Sequence, residues 1–321
     1  MTNSSPTPAA GSQLATLSGI VPPLATPLLS DQSLDLDGAE RLVEHVIAGG
    51  VSGVFLLGTC GEGNALGFRR AAEYVEHVCR AVNSRIPVLV GVSNSALADS
   101  LELSEHAADC GAAAVVATPP YYFPVDEAAL TEHLRRLARR SPLPLMLYNM
   151  PSCTGNSITE DMLHALADEP SIVGLKDSSG GLQTFARLCN TARELRPDWR
   201  IFIGPEGLLA DAIFIGADGG VSGGANVCPR LFVDLYTAAA QGDKSEIDRL
   251  RAQTEFLAQC YGSPVTATSV IQGLKTALGT AGICSGATSE LFPPVDSDRR
   301  EQITGWVEEL SRRGLVTAHV G

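Results

Sequence analysis

Basic residues are scarce in this sequence. Its 321 residues include 23 Lys and Arg against 36 Asp and Glu, which gives a formal net charge of −13. Binding to a nucleic-acid backbone needs clustered Lys and Arg, so we expect no nucleic-acid partner. Long apolar runs are also missing, since none approaches the roughly 18 residues that a membrane span requires. With 45% hydrophobic and 18% charged residues, the composition is typical of a globular protein with a sizeable core.

The patterns that bind metals and nucleotides are missing as well. The eight cysteines are never closer than 19 residues, which excludes a CxxC pair and favours scattered thiols in a reducing cytoplasm. The six histidines form no cluster with the spacing of metal ligands. No GxGxxG follows the first apolar run, and no P-loop GK[ST] occurs. We therefore expect neither a metal site nor a nucleotide cofactor.

The N-terminal stretch 1–17 is rich in Ser, Thr, Pro and Ala. It lacks the basic start and the apolar stretch of a signal peptide. We interpret it as a disordered tail. The cytoplasm is the expected location of the protein.

From residue 20 onward a short apolar run, a turn and an amphipathic segment recur in that order. Between the runs, apolar residues follow each other at three- and four-residue steps, as expected for helices. Continuous apolar strands alternating with helices fit a closed parallel (β/α)8 TIM barrel, with an open doubly wound sheet as the competitor. The eight runs are 20–25, 53–57, 87–91, 113–118, 143–148, 171–176, 200–204 and 219–224.

After residue 225 the sequence contains no further strand-like run. The pattern instead predicts helices, of which the first can complete the barrel. We therefore divide the chain into a (β/α)8 barrel over 18–240 and a C-terminal helical extension over 241–321. The helical segments are 229–241, 243–260, 266–281 and 297–313.

The candidate functional residues stand at the ends of the predicted strands. Catalytic groups of such barrels lie where strands end and the following loops begin. Lys176 ends the sixth run in "IVGLKDSSGG", and Tyr148 ends the fifth. Thr59 follows the second run in "GTCGEG", and Tyr121 and Tyr122 follow the fourth in "TPPYYFP". Each of these features also has a purely structural explanation. The glycines around Thr59 could form only a tight turn, and the loop with Tyr121 and Tyr122 could serve packing or an interface. Tyr148 could simply donate a hydrogen bond to a loop carbonyl.

A lysine with a tyrosine and a threonine suggests imine chemistry. A neutral lysine amine attacks a ketone to give a Schiff base, an electron sink for making or breaking the adjacent C–C bond. Partial burial in an apolar barrel mouth favours the neutral amine, and a phenol can move the protons. The residues alone leave Lys176 open as either a Schiff-base nucleophile or an ion-paired structural residue.

Five motifs resemble the dihydrodipicolinate synthase / N-acetylneuraminate lyase family of pyruvate-dependent class I aldolases. The resemblance covers roughly residues 18–315, and each motif coincides with a predicted strand end. The motifs are "GTCGE" (58–62), "TPPYY" (118–122), "YNMPSCTG" (148–155), "GLKDSSGG" (174–181) and "GGVSGGANV" (219–227).

The resemblance implies a catalytic role for four residues. Lys176 forms the imine with pyruvate, without any other cofactor, and Tyr148 transfers protons. Thr59 connects Tyr148 to a second tyrosine. In the family, this second tyrosine comes from the neighbouring subunit across a dimer interface. Counting from the start of the loop favours Tyr121 for that part, with Tyr122 as the alternative. The family commonly forms tetramers built from pairs of tight dimers, so we expect a homotetramer.

The resemblance also implies a set of substrate-binding residues. Gly58, Thr59 and Cys60 hold the pyruvate carboxylate, and the backbone carbonyl near Val221 faces the imine pocket. Loops 151–157 and 178–183, which carry Cys153 and Ser178, set the specificity for the second substrate, an aldehyde.

Two positions depart from the family pattern. Cys60 stands where a second Thr or Ser is usual, so we expect altered carboxylate binding. Cys153 stands where dihydrodipicolinate synthases carry an Arg that holds the carboxylate of the aldehyde substrate. A thiol cannot make that charge-assisted contact, which is worth about 2–3 kcal/mol.

The sequence therefore predicts a Schiff-base lyase that makes or cleaves a C–C bond between pyruvate and an aldehyde. The expected substrate is a 2-keto-3-deoxy sugar acid or a related hydroxylated 2-oxo acid. The alternatives are a 4-hydroxy-tetrahydrodipicolinate synthase, a 2-keto-3-deoxy-acid dehydratase and a catalytically silent paralogue that binds a 2-oxo acid.

Overall fold

The computed structural model describes residues 14–262 and 266–316. Eight parallel strands alternate with helices, and the sheet order is β1-β8-β7-β6-β5-β4-β3-β2. The strands are β1 (Gly19–Ile20), β2 (Val54–Leu56), β3 (Val88–Gly91), β4 (Ala114–Ala117), β5 (Leu145–Asn149), β6 (Ile172–Asp177), β7 (Arg200–Ile203) and β8 (Gly219–Gly220).

Backbone hydrogen bonds between the chain after β1 and strand β2 close the sheet. The Phe55 N–H donates to the Pro22 carbonyl at 3.0 Å, and the Leu24 N–H donates to the Phe55 carbonyl at 2.9 Å. The two ends of the sheet therefore meet, as a barrel requires. The predicted (β/α)8 barrel is confirmed, and the doubly wound alternative is wrong.

The strands β1 and β8 are shorter than the runs predicted for them. Each has only two residues, and glycines bring their backbones very close. A Cβ atom at position 219 would lie 1.8 Å from the Gly19 carbonyl oxygen, so only glycine fits there. Apolar periodicity does not detect such a close approach, and the predicted runs therefore extended beyond the paired residues.

A bulge in β6 decides which way its side chains point. Leu145 pairs with Ile172, but Met146 pairs with Gly174, so Val173 has no partner on β5. Ile172 and Leu175 both pack in the outer core although they are three residues apart. The extra residue at Val173 restores the alternation, and Lys176 points into the barrel.

The core has two parts, one inside the barrel and one between the barrel and its helices. The inner cluster contains Phe55, Met146, Tyr148, Phe202 and Val221, which come from several different strand regions. The outer cluster joins the other faces of the strands to the buried faces of the helices.

The described helices surround the strands and continue past the barrel. They are α1 (Leu36–Ala48), α2 (Gly63–Leu66), α3 (Phe68–Val82), α4 (Leu97–Asp109), α5 (Glu127–Arg140), α6 (Pro151–Thr154), α7 (Glu160–Leu166), α8 (Leu182–Leu195), α9 (Leu209–Ile215), α10 (Pro229–Gln241), α11 (Lys244–Ala258), α12 (Ala267–Thr280) and α13 (Ser297–Arg312). Across the described ranges, no helix is long and apolar enough to cross a membrane.

The helices observed after the barrel agree closely with the helical segments predicted from the sequence. Helices α10 to α13 lie within one or two residues of the predicted segments at almost every end. The predicted tail at 1–17 needs correction where it is described: Leu14 and Leu17 are buried against the inner cluster, so the tail prediction is wrong for them. The rest of the predicted tail, residues 1–13, lies outside the described residues.

Candidate active site

A cavity of about 250 Å³ opens at the carboxyl ends of the strands. Loops after four strands contribute polar groups to one side of it: Thr59, Asn64, Ser93, Thr118 and Thr154. The C-terminal extension contributes an apolar side made of Ala267, Ile271, Leu291 and Phe292. The barrel prediction included the first side, but nothing in the sequence indicated that the extension would reach the site.

Lys176 does not line this cavity, but it contacts two of the aromatic rings that do, those of Phe55 and Tyr148. It is only 4% exposed, and its Nζ atom lies 3.7 Å from the centroid of the Tyr148 ring and 4.8 Å from that of Phe55. Phe55 lines the cavity on one side and a void of about 10 Å³ beside Lys176 on the other. The lysine amine is therefore held against aromatic faces in a nearly dry environment.

Tyr148 and Lys176 are direct neighbours because they are paired in the register of β5 and β6. The Tyr148 hydroxyl lies 3.3 Å from Thr59 Oγ1, and either oxygen can donate the hydrogen bond. The Tyr148 ring meets the Phe55 ring edge to face, with 6.1 Å between the centroids. The structure thus brings together Lys176, Tyr148 and Thr59, which the sequence had placed on three different strand ends.

The loop that carries Thr59 is tightly folded. The Gly61 N–H donates to the Gly58 carbonyl at 3.0 Å, and the Glu62 N–H donates to the Thr59 carbonyl at 3.1 Å. In the described part of the chain, the N–H groups of Thr59 and Cys60 donate no hydrogen bond. Two unpaired N–H groups in one turn form a site suited to an anion such as a carboxylate.

Cys60 is buried and is not among the residues that line the cavity. A Cβ atom at Gly223 would lie 3.3 Å from Cys60 Sγ, so the thiol points toward the loop after β8. Burial raises the pKa of the Cys60 thiol to about 12, which keeps it neutral at physiological pH. Only its backbone is therefore suited to bind an anion.

The tyrosines of the aromatic loop point in different directions. Tyr121 is half-buried and lines the cavity of its own chain, and burial raises the pKa of its phenol. Tyr122 is 85% exposed, has a φ of +80° and packs edge to face against Phe123. The Asn156 side chain donates hydrogen bonds to the carbonyls of Pro120 and Phe123, which fixes the base of the loop.

Cys153 lies exposed at the mouth of the cavity, on the short helix α6. Among the described residues that line the cavity, none is Arg, Lys or His, and Glu62 is the only acid. Apart from Glu62, the described lining of the cavity therefore carries no formal charge.

Besides Cys60, two of the predicted binding residues do not line the cavity. The Ser178 N–H donates to the Asn149 carbonyl at 2.8 Å, and its side chain packs at Gly204. Val221 lines the inner void together with Lys176. Neither residue borders the larger cavity.

Polar residues that no sequence pattern indicated support the site. Asn149 Nδ2 donates to Asp177 Oδ1 at 2.7 Å, which ties together the ends of β5 and β6. The backbone N–H of Gly224 donates to Glu206 Oε2 at 2.9 Å, and burial raises the pKa of the Glu206 carboxyl to about 7. Their partners are distant in sequence, so spacing alone offered no signal.

Metal ligands are not clustered anywhere in the described residues, where no group of three or more His, Cys, Asp or Glu side chains could hold a metal ion.

Comparison with known proteins gives one consistent result. The model of the dihydrodipicolinate synthetase family matches residues 16–310. A protein of Halobacterium salinarum, named an uncharacterized DapA-like lyase, is 35% identical over 312 residues, which cover 97% of this chain and 99% of the relative. YagE of Escherichia coli K12, provisionally named a 2-dehydro-3-deoxy-D-gluconate aldolase, is 30% identical and covers 93% of this chain and 98% of its own length.

Solved structures agree with the sequence comparison. Dihydrodipicolinate synthase from Bacteroides thetaiotaomicron superposes with a TM-score of 0.87 at 40% identity, covering 92% of this chain and 99% of that one. The structure of YagE in complex with pyruvate superposes with a TM-score of 0.86 at 29% identity, covering 92% and 98%.

Proposed function

Because the chain belongs to the dihydrodipicolinate synthetase family, we propose that it is a pyruvate-dependent lyase that works through an imine at Lys176. The observation that carries this proposal is the position of the Lys176 amine, 3.7 Å from the Tyr148 ring centroid, while the Tyr148 hydroxyl is 3.3 Å from Thr59. The pyruvate complex of the relative YagE supports pyruvate as the common substrate.

The first step joins Lys176 to the ketone. The neutral amine attacks C2 of pyruvate and gives a carbinolamine, whose hydroxyl leaves as water once a proton has been supplied. The Tyr148 phenol, which is paired beside Lys176 and lines the cavity, donates that proton. The nitrogen then carries a C=N bond and, when protonated, a positive charge that withdraws electrons from the adjacent carbons.

The second step forms the C–C bond. Loss of a proton from C3 of the imine gives an enamine, which attacks the aldehyde carbon while the aldehyde oxygen takes up a proton. Water then hydrolyses the imine, which releases a 4-hydroxy-2-oxo acid and restores the amine. Cleavage is the same sequence reversed, and Tyr148 with Thr59 moves protons in both directions.

The pyruvate carboxylate is proposed to bind the loop that begins at Gly58. The unpaired N–H groups of Thr59 and Cys60 support this assignment, together with the Thr59 hydroxyl. The thiol of Cys60 adds no strong hydrogen-bond donor, so the backbone carries the interaction.

The second substrate is proposed to be an uncharged, hydroxylated aldehyde, such as the product of cleaving a 2-keto-3-deoxy sugar acid. The hydroxyl-bearing residues Ser93, Thr118 and Thr154 line the cavity, and Cys153 offers no cation for a second carboxylate. The name of the relative YagE points to the same class of substrate. Several relatives are named 4-hydroxy-tetrahydrodipicolinate synthase, but the uncharged lining argues against the carboxylated aldehyde of that reaction.

A homotetramer in the cytoplasm is proposed as the working form. Tyr122 is 85% exposed while Tyr121 lines the cavity of its own chain. This difference supports Tyr122, the alternative in the sequence analysis, as the phenol that reaches the site of a second subunit.

Trapping with borohydride tests the proposal. The protein is incubated with pyruvate, reduced, digested and analysed by mass spectrometry, and we expect the reduced pyruvate adduct on Lys176. A folded protein without that adduct would refute the imine mechanism. Aldehydes and 2-keto-3-deoxy acids are then compared as substrates, and efficient condensation with aspartate semialdehyde would refute the assignment of the acceptor. Loss of water without release of pyruvate would identify a dehydratase instead.

A further inference from the structure

A buried ion pair lies directly behind the proposed carboxylate-binding loop. The Glu62 Oε1 atom contacts the Lys275 ammonium, and both side chains are 0% exposed. Glu62 Oε2 accepts a hydrogen bond from the Ser289 N–H at 2.8 Å. One carboxylate therefore binds two separate segments of the C-terminal extension.

Each partner of this carboxylate belongs to a segment that lines the cavity. Lys275 follows Ile271 by one turn of α12, and Ile271 lines the cavity. The Ser289 carbonyl accepts a hydrogen bond from the Phe292 N–H at 2.9 Å, and Phe292 also lines the cavity. Glu62 itself comes two residues after Cys60 and has a φ of +54°, a left-handed conformation that is strained for a residue with a side chain.

Stability alone does not explain such a pair. Removing two charges from water costs several kcal/mol for each ion, and well-packed apolar residues in their place are often as stable or more stable. Neither side chain is accessible to a substrate. The pair must therefore be explained by what it holds in place.

We infer that Glu62 and Lys275 are positioning residues for pyruvate binding, since their ion pair fixes the Thr59–Cys60 turn against the C-terminal helices. The inference rests on the proposed function. Lys275 has a second effect, because it neutralises the only acid among the described cavity-lining residues. Without that neutralisation, the charge of Glu62 would repel the pyruvate carboxylate two residues away.

The test compares variants that keep the packing but remove the pair. In the double variant E62Q/K275M, the amide introduced at position 62 retains an acceptor for the Ser289 N–H, and the thioether introduced at position 275 fills the volume of the lysine stem. E169Q is the matched control, because the Glu169 carboxylate is also buried and ion-paired, with Arg135 and Arg139, but does not line the cavity. For each protein the thermal midpoint is measured, together with the pyruvate concentration that gives half-maximal borohydride trapping.

We expect the half-saturating pyruvate concentration of folded E62Q/K275M to rise at least about tenfold, or about 1.4 kcal/mol of binding free energy. The trapping rate at saturating pyruvate should change much less. E169Q should lower the thermal midpoint but leave half-saturation unchanged. If the double variant does not fold, E62Q/K275Q serves, since two neutral amides keep the volume of the pair without leaving a buried charge, and it should show the same rise in half-saturation.

Three outcomes are decisive. A folded variant with the wild-type half-saturation refutes the positioning role while the proposed function stands. An equal rise in E169Q would also refute it, because the effect would then follow from lost stability. A wild-type protein that forms no adduct refutes the proposed function, and this inference with it.

Discussion

Replacing Tyr148 with Phe removes one hydroxyl and leaves the ring in place. The ring supplies the contact to Lys176 at 3.7 Å and the edge-to-face contact with Phe55, so Y148F should fold normally and hold the amine as before. What the variant loses is the proton-transferring group. General acid–base catalysis contributes about 10²- to 10⁴-fold, so we expect kcat to fall by that factor, or about 3–5.5 kcal/mol.

Substitution of Thr59 tests the same proton transfer independently. The Tyr148 to Thr59 distance of 3.3 Å is longer than a typical O–H···O hydrogen bond, which indicates a weak interaction. A net value of about 0.5–1.5 kcal/mol predicts a two- to thirteenfold loss of kcat in T59V at saturating pyruvate. If Thr59 acts on kcat through the Tyr148 hydroxyl, T59V should cost almost nothing more in the Y148F background.

The assay is the release of pyruvate from a 2-keto-3-deoxy acid, with borohydride trapping at saturating pyruvate as the second measurement. T59S is the matched control, since it keeps the hydroxyl and should retain most of the wild-type kcat. Y148F with more than a third of the wild-type kcat would refute the role of the phenol. Full additivity of Y148F and T59V would refute the coupling between the Thr59 and Tyr148 hydroxyls, but it would leave the role of the Tyr148 phenol intact.

Further variants test the other residues of the site. K176M should fold, because its partners are aromatic rings, but should form no adduct; an adduct elsewhere would contradict the assignment. C153R should raise kcat/KM for a carboxylated aldehyde about 30- to 150-fold, from the 2–3 kcal/mol of a charge-assisted contact, and no rise would mean that position 153 does not face the acceptor. Co-expressed K176M and Y122F subunits should regain activity that neither has alone, and recovery with Y121F instead would favour Tyr121. Since burial raises the pKa of Glu206 to about 7, the folded chain retains a proton that the unfolded chain releases from about pH 4.5 upward, so stability falls as the pH rises through this window. E206Q should therefore resist urea better than wild type at pH 8, by about 1–3 kcal/mol, and equally at pH 4.5; an equal midpoint at pH 8 would contradict this.

The strand ends were predictable because barrel strands leave two signals in one place. Each apolar run indicates a strand that is buried on both faces, and the polar residue at the end of the run marks where the strand ends. Lys176, Tyr148 and Thr59 could thus be assigned to one rim before any distance was known. Their convergence required only that the sheet close, which the repeat of the pattern already indicated.

The residues that support the site could not be predicted in the same way. Ser289 lies 227 positions from Glu62, and no local pattern relates the two. Nor does the sequence distinguish Tyr121 from Tyr122 by its pattern, because the difference lies in one positive φ value and in exposure. Contacts between distant segments depend on packing, and packing is decided by the whole chain.

The bulge at Val173 has a consequence for how this enzyme tolerates changes in length. A substitution at Val173 alters one side chain, whereas deletion of the residue would shift every residue before it by one place relative to β5. Either Ile172 would then turn into the barrel, or Lys176 would turn out toward the helices and leave the cavity without its amine. A one-codon deletion in this strand should therefore be far more damaging than any replacement at the same codon, although neither would touch a residue of the site.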